Sequence, residues 1–244
     1  MQVVGIKPIR KLDPATILKI AAGEVIERPS CIVKELVENA VDAGATRIEI
    51  HVKNGGIDEI SVTDNGTGIL ESELALAVSP HATSKLAGLD DLDRMYTLGF
   101  RGEALASIAS VSEINILSKT AAQDVGSHLR VKFGETLFQR PSAMRTGTTV
   151  SVGSLFLNVP ARKKFLKTAS TEKQHIERMI HRIHRGEHLP SVAAGRIAWT
   201  NIDAVPSPTP TNRSCQSRRQ RARHRWQRRS QTTSWRPASR HGRV

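Results

Sequence analysis

A carboxylate and a carboxamide stand four residues apart in the segment 30–43. Successive helical residues turn by about 100°, so Glu35, Asn39 and Asp42 fall within one narrow stripe of the helix predicted there. A carboxylate can orient or deprotonate water, and a carboxamide oxygen suits Mg²⁺, which takes few protein ligands. The pattern predicts hydrolysis at a phosphate, with Glu35 as base and Asn39 as magnesium ligand. The solvated face of an ordinary amphipathic helix has the same pattern, so that alternative stays open.

A second candidate site is the sequence Asp64-Asn65-Gly66-Thr67-Gly68, which follows a predicted strand. A carboxylate there can accept a hydrogen bond from an exocyclic amine, while Gly66 and Gly68 let the backbone approach a flat ring. Such segments are often only turns. Further along the chain, Thr148 or Thr149 could hydrogen-bond a base or a water beside it, or be an ordinary strand residue.

Two segments between residues 81 and 105 could hold phosphates. One offers the side chains of Thr83, Ser84 and Lys85 close together. The other is a glycine-bounded loop that opens a helix, where free N–H groups and the helix dipole suit a polyphosphate; its residues are Gly99, Phe100, Arg101, Gly102, Glu103, Ala104 and Leu105. A solvated lysine and arginine are the plainer interpretation of both. The P-loop pattern Gly-x4-Gly-Lys-Ser/Thr is absent.

These residues need elements to position them, and hydrophobic periodicity predicts several. A helix is expected over 13–27, with Asp13 as N-cap and Pro14 in the first turn. A second is expected after Ser30 as cap, ending at Gly44. Period-two alternation predicts a hairpin over 47–64, with a turn at 54–56. Short helices are expected around 74–78 and 89–95, and another over 103–110.

Three further strands are expected at 113–118, 128–133 and 148–156, and a last amphipathic helix begins near Ser170 with Ile176, Met179, Ile180 and Ile183 on its buried side. Helices before and between adjoining antiparallel strands indicate an α+β fold. We expect a two-layer α/β sandwich whose mostly antiparallel, mixed sheet is covered by helices on one face. No strand pattern is evident after residue 190.

The net charge of +13 is concentrated at one end of the chain. Residues 185–244 carry 13 of the 36 basic residues, all arginine, and only two of the 23 acidic ones. We expect one domain over 1–184 and an Arg-rich tail over 185–244 that is disordered and forms no complete second domain, because it offers too little apolar surface for a core. A shifted reading frame would produce the same abrupt change in composition, and both explanations stay open.

Two cysteines, Cys31 and Cys215, are too few for a disulfide framework or a zinc site and fit a reducing compartment. The sequence shows neither a signal peptide nor a long apolar run. We therefore expect a cytoplasmic, nucleoid-associated protein.

The order and spacing of these motifs resemble the GHKL (Bergerat-type) ATPases, the group of gyrase B, Hsp90, histidine kinases and MutL. Within the group, several longer strings resemble the N-terminal domain of MutL-type DNA mismatch repair proteins through about residue 184; they are IAAGEVIERP at 20–29, VKELVENAVDAGAT at 33–46, DNGTGI at 64–69, HATSK at 81–85, LGFRGEALASI at 98–108 and VPARKKFLK at 159–167.

The resemblance implies ATP and Mg²⁺ as cofactors and a role for each motif residue. Glu35 would activate water, Asn39 would bind magnesium, and Asp64 would contact adenine. Gly66 and Gly68 would pack on the ring and Thr148 would lie beside it. Thr83, Ser84 and Lys85 would hold phosphates together with the lid loop from Gly99 to Leu105.

For function, the resemblance implies slow, magnesium-dependent ATP hydrolysis that switches conformation during mismatch repair. It also implies ATP-dependent pairing of two N-terminal domains, a mismatch-recognition protein and a downstream endonuclease or helicase as partners, and weak, salt-sensitive DNA binding. Family members carry a second domain whose lysine reaches the γ-phosphate, and no lysine follows residue 184 here, so hydrolysis is expected to be impaired. The alternatives are a non-catalytic nucleic-acid-binding fragment and a chaperone-type or topoisomerase-type GHKL ATPase.

Overall fold

The computed structural model describes residues 10–11, 13–82, 102–185 and 196–201, all within one compact unit that ends at Asp203. The helices of the described part are α1 (Pro14–Val25), α2 (Pro29–Asp42), α3 (Glu71–Leu74), α4 (Ala104–Val111), α5 (Pro160–Lys163) and α6 (Ala169–His184). The strands are β1 (Arg47–Lys53), β2 (Glu59–Asp64), β3 (Glu113–Lys119), β4 (Gly126–Lys132), β5 (Glu135–Ser142), β6 (Gly147–Gly153) and β7 (Arg196–Asn201). Short 3-10 turns span Asn54–Gly56 and Leu76–Val78.

The strands form one sheet in the order β5-β4-β3-β6-β2-β1-β7. Every neighbouring pair is antiparallel except β1 and β7, which run parallel. Alternate residues of the inner strands are buried, as period-two strands covered on one face require. The two-layer α+β sandwich with a mostly antiparallel, mixed sheet, predicted from the sequence, is confirmed.

The core lies between the helices and the covered face of the sheet. Its largest fully buried side chains come from both layers and are Ile26, Ile32, Ile50, Ile60, Leu74, Ile108, Ile114, Ile116, Leu129, Phe156 and Ile176. Helix α2 packs on β1 and β2, whereas α4 packs on β3 and β4. Strand β6 lies between these two pairs of strands, and α4 also packs on α1.

Both N-terminal helices form, but the second begins at Pro29, two residues earlier than a cap at Ser30 would allow. The Asp13 side chain caps α1 by accepting the Thr16 N–H at 2.9 Å, as predicted. Helix α2 has Arg28 at its N-cap position and no side-chain cap, so the prediction of Ser30 as cap was wrong. Pro29 takes the first helical position because its fixed φ and missing N–H suit that place.

Two strands were not predicted. Strand β5 is the sheet's edge and its residues are mostly exposed, so its sequence has no clear apolar alternation. Strand β7 lies in the segment where no strand was expected, and that expectation was wrong for 196–201. The helix expected at 89–95 lies outside the described residues. Within the described residues, no helix has the length and apolar character needed to cross a bilayer.

Candidate functional site

The polar end of the covered sheet face is centred on Asp64, the last residue of β2. Asp64 is the cross-strand partner of Thr148 in β6. Its Oδ1 atom accepts the backbone N–H of Gly66 at 2.8 Å and that of Thr148 at 3.3 Å. No donor of the described residues contacts Oδ2. Burial raises the pKa of Asp64 above its ordinary value, and the two backbone hydrogen bonds offset only part of this effect.

A cluster of hydroxyl groups adjoins Asp64. Thr148 Oγ1 lies 3.0 Å from Ser118 Oγ, which accepts the Ile69 N–H at 2.7 Å. Both side chains are buried, and so is Ser127, the cross-strand neighbour of Ser118. Sequence reasoning missed both serines. A polar residue at the end of an otherwise apolar strand alternation was the signal that could have found Ser118.

The structure separates the two threonines that the sequence offered as alternatives. Thr148 lies on the covered face beside Asp64, whereas Thr149 Oγ1 lies 3.1 Å from Thr63 Oγ1 on the opposite face of the sheet. Neighbouring strand residues point to opposite faces. Of this pair, only Thr148 therefore lies with Asp64.

The two glycines of the Asp64 loop are in close contact with the protein itself. A Cβ atom at Gly66 would lie 2.7 Å from the Ala43 carbonyl oxygen. One at Gly68 would lie 2.2 Å from the Lys119 carbonyl oxygen, and Gly68 also has a φ of +76°. These contacts require glycine at both positions without any ligand, because any side chain would overlap neighbouring backbone. Packing on a base ring remains a prediction.

The stripe of α2 that carries Glu35 and Asn39 ends at this loop. Ala43 accepts the Thr67 N–H at 3.0 Å and donates its own N–H to the Asn39 carbonyl at 3.0 Å. Residues four apart share one side of a helix, so Glu35, Asn39 and Ala43 lie in a row. With a rise of 1.5 Å per residue, the row extends about 12 Å. It therefore leads from the Asp64 loop back along α2 to Glu35.

Glu35 is half-buried and belongs to a three-residue ionic cluster. Lys34 Nζ lies 3.2 Å from Glu35 Oε1 and 2.9 Å from Glu38 Oε1. Burial alone would lower the pKa of Lys34, but the hydrogen bond to Glu38 and both carboxylate charges outweigh it and raise the pKa. Burial raises the pKa of Glu38 in spite of its lysine partner. Lys34 thus stays charged beside the predicted base, a feature that sequence reasoning missed.

The start of α4 approaches the same end of the sheet. The last residues of α4 are fixed at the opposite end, where the Ala109 carbonyl accepts the Gly134 N–H at 2.9 Å and the Val111 carbonyl accepts the Phe156 N–H at 2.8 Å. Since α4 packs on β3 and β4, its N-terminus points toward Ser118 and Asp64. Helix α2, whose C-cap is Ala43, ends beside the Asp64 loop, where Ala43 accepts the Thr67 N–H.

Of the predicted phosphate-binding residues, the structure describes Gly102, Glu103, Ala104 and Leu105. Gly102 has a φ of +61°, and the Glu103 carboxylate lies 3.3 Å from His81 Nδ1. That contact joins the described residues on either side of the segment 83–101. The other predicted contacts lie outside the described residues; they are Thr83, Ser84, Lys85, Gly99, Phe100 and Arg101.

Comparison with known proteins identifies the family to which this domain belongs. The family model of histidine kinase-, DNA gyrase B- and HSP90-like ATPases matches residues 27–152, about half of the chain. The chain therefore belongs to this ATPase family.

Within the family, the chain is similar to MutL. The DNA mismatch repair protein MutL of Pasteurella multocida is 53% identical over 177 residues, which cover 72% of this chain and 28% of that protein. The predicted resemblance to the MutL N-terminal domain is confirmed. The chain spans little more than a quarter of the length of this relative.

Solved structures agree. The Aquifex aeolicus MutL ATPase domain in complex with ADP is 32% identical, with a TM-score of 0.54 over 72% of this chain and 61% of that one. The N-terminal domain of a DNA repair protein is also 32% identical, with a TM-score of 0.62 over 79% of this chain and 55% of that one.

Proposed function

We propose that this chain binds ATP with magnesium and hydrolyses it slowly as a conformational switch in DNA mismatch repair. The observation that carries the proposal is the alignment of the α2 stripe with the Asp64 loop. Asp64 and Thr148 offer polar atoms for a base at one end of a row about 12 Å long, and Glu35 stands at the other. That span suits a nucleotide whose base and terminal phosphate are held at opposite ends.

The residues present fit a nucleotide. Asp64 keeps Oδ2 for an exocyclic amine, because its two backbone hydrogen bonds both go to Oδ1. The N-terminus of α4 adds N–H groups and a positive dipole for phosphates. The similar Aquifex aeolicus domain was solved with ADP, which supports the same class of ligand here.

Magnesium would be held through few protein atoms. Among the described residues, no group of three His, Cys, Asp or Glu side chains could enclose a metal ion. Asn39 would supply one oxygen, while phosphate oxygens and water complete the shell, as is usual for this ion. The ion would neutralise charge on the phosphates. Glu35 would orient and deprotonate the attacking water, with Lys34 keeping its ammonium charge nearby.

The partners implied by the family complete the proposal. We assign the chain a place between mismatch recognition and downstream strand processing by an endonuclease or helicase. ATP would promote pairing of two N-terminal domains, DNA binding would be weak and salt-sensitive, and the site of action would be the cytoplasm beside the nucleoid. The Pasteurella multocida relative is itself a DNA mismatch repair protein.

Thermal unfolding of the full chain with ATP and magnesium tests nucleotide binding. At 100 times the dissociation constant, a ligand stabilises the fold by about 2.7 kcal/mol, which raises Tm by roughly 5–11 °C for a domain of this size. If ATP with magnesium leaves Tm unchanged at every concentration, the proposal is rejected. A nucleic-acid-binding fragment would instead show DNA affinity that falls steeply with salt and no response to ATP.

Substitution at Glu35 tests the catalytic assignment. Glu35→Ala should keep ATP binding and lower turnover by a factor of about 10²–10⁴, the range for loss of a general base. Glu73→Ala in α3, an exposed glutamate, is the matched control and should leave turnover unchanged. Loss of nucleotide binding as the main effect of Glu35→Ala would contradict the assigned role. Asn39→Ala should weaken magnesium-dependent binding first.

A further inference from the structure

Ser118 occupies the centre of the polar cluster, although it was not among the predicted site residues. We infer that Ser118 is a positioning residue that fixes the Thr148 hydroxyl as a hydrogen-bond donor toward the bound base. The site then presents an acceptor, Asp64, beside a donor, Thr148. This inference rests on the proposed nucleotide-binding function and extends it to the choice of base.

The hydrogen-bond inventory of Ser118 supports this role. A serine hydroxyl has two lone pairs and a single proton. Ser118 Oγ accepts the Ile69 N–H at 2.7 Å, so one lone pair is used. Its proton can go to Thr148 Oγ1 at 3.0 Å or to the Gly147 carbonyl at 3.3 Å. Either hydroxyl can be the donor of the shorter contact, so a ligand that accepts from Thr148 leaves Thr148 Oγ1 to accept the Ser118 proton there, and the shorter contact is the better hydrogen bond.

That assignment determines what Thr148 can do. Once Thr148 Oγ1 accepts from Ser118, its own proton remains to be donated. No other partner of this hydroxyl occurs within the described residues, and Thr148 is only 8% exposed. A buried hydroxyl proton needs an acceptor. Thr148 is the cross-strand partner of Asp64, so a base held by Asp64 would take this proton, directly or through one water.

Asp64 as acceptor and Thr148 as donor together favour a base that presents a donor and an acceptor in the matching order. Adenine presents an amine donor next to a ring-nitrogen acceptor, which matches Asp64 followed by Thr148. Hypoxanthine and guanine present a carbonyl acceptor next to an N–H donor, the reverse order. To accept from that N–H, Thr148 would have to donate to Ser118, whose proton would then move to the longer Gly147 contact. Ser118 therefore adds to the selection that Asp64 exerts.

The neighbouring serine of β4 provides a matched control. Ser127 is the cross-strand partner of Ser118 and equally buried, each about 1% exposed. Among the described residues, its hydroxyl has no hydrogen-bond partner, Thr148 included. Replacing either serine by alanine removes the same atoms from the same layer. Only the Ser118 change alters the Thr148 hydroxyl.

The experiment measures dissociation constants of ATP and inosine triphosphate, each with magnesium, for the full chain by calorimetry. Ser118→Ala should lower the preference for ATP over inosine triphosphate by about threefold to tenfold, the value of one neutral hydrogen bond. Ser127→Ala should leave that preference unchanged. If Ser118 has a purely structural role, Ser118→Ala weakens the binding of both nucleotides equally and the ratio of their dissociation constants stays the same. That result would overturn the inference.

The outcomes separate the inference from the proposed function. A wild-type chain that binds neither nucleotide would reject the function itself. Wild-type binding of ATP with an unchanged ratio in Ser118→Ala would reject only the role of Ser118. If Ser118→Ala does not fold, Ser118→Cys fills the same position with a somewhat larger group that donates weakly. The same loss of preference is then expected, and an unchanged ratio again refutes the role.

Discussion

Replacing Asp64 by asparagine should weaken nucleotide binding without weakening the fold. The negative charge favours binding of an exocyclic amine, whereas burial disfavours the same charge in the folded protein. Asparagine keeps an oxygen that can accept the Gly66 and Thr148 N–H groups but loses the negative charge that favours an exocyclic amine. A hydrogen bond to a charged group contributes about 1.5–3 kcal/mol, so ATP affinity should fall by a factor of roughly 10–150. The dissociation constant, measured by calorimetry, checks this value.

The fold should not suffer from the same change. Burial raises the pKa of Asp64, so its ionised form is disfavoured in the folded state relative to the unfolded chain. The neutral amide should therefore leave the free energy of unfolding at neutral pH unchanged or increase it. Asp58→Asn, at an exposed position at the other end of β2, is the control and should alter neither affinity nor stability.

The pH dependence follows from the direction of the shift. A carboxyl group whose pKa is higher in the folded state stabilises the fold below its ordinary value of 3.8, and this contribution is lost as pH rises through the folded pKa. Urea unfolding should therefore show the smallest difference between wild type and Asp64→Asn in acid, growing toward neutral pH. Unaltered ATP affinity would refute the base contact, and strong destabilisation at neutral pH would show that the charge holds the loop.

Two further perturbations test the elements around the site. Gly147→Ala places a Cβ atom 2.2 Å from the Asp64 carbonyl oxygen at a φ of +127°, whereas Gly134→Ala, at a φ of +89°, meets nothing within 4 Å. Because of this overpacking, Gly147→Ala should lower the free energy of unfolding in urea by about 1–3 kcal/mol more than Gly134→Ala does. Equal losses would contradict the contact. Burial and the charges of Arg140 and Arg130 lower the pKa of His128 below 6.5. The fold should therefore lose stability as pH falls from 6.5 toward the folded pKa, and a His128→Gln variant whose pH profile matches wild type would show that His128 does not cause the loss.

The sequence alone determined the elements and most of the motif positions. Helical spacing placed Glu35 and Asn39 on one stripe, and strand alternation separated the covered from the open face of the hairpin. These are local properties, since side-chain direction repeats with the period of the element. Strand β5 was not predicted because an exposed edge strand needs no apolar alternation. Strand β7 was not predicted because a short strand with one parallel partner leaves little pattern in the sequence.

Tertiary structure decided which side chains meet. Whether Thr148 or Thr149 lies beside Asp64 depends on the register between β2 and β6, in which a shift by one residue exchanges the faces. The contact of Ser118 with Thr148 depends on the pairing of β3 with β6, which joins residues thirty positions apart. The burial of Glu38 beside the more exposed Lys34 depends on how the surrounding elements cover α2. Periodicity describes each element separately, whereas the polar cluster arises only where three strands and the ends of two helices come together.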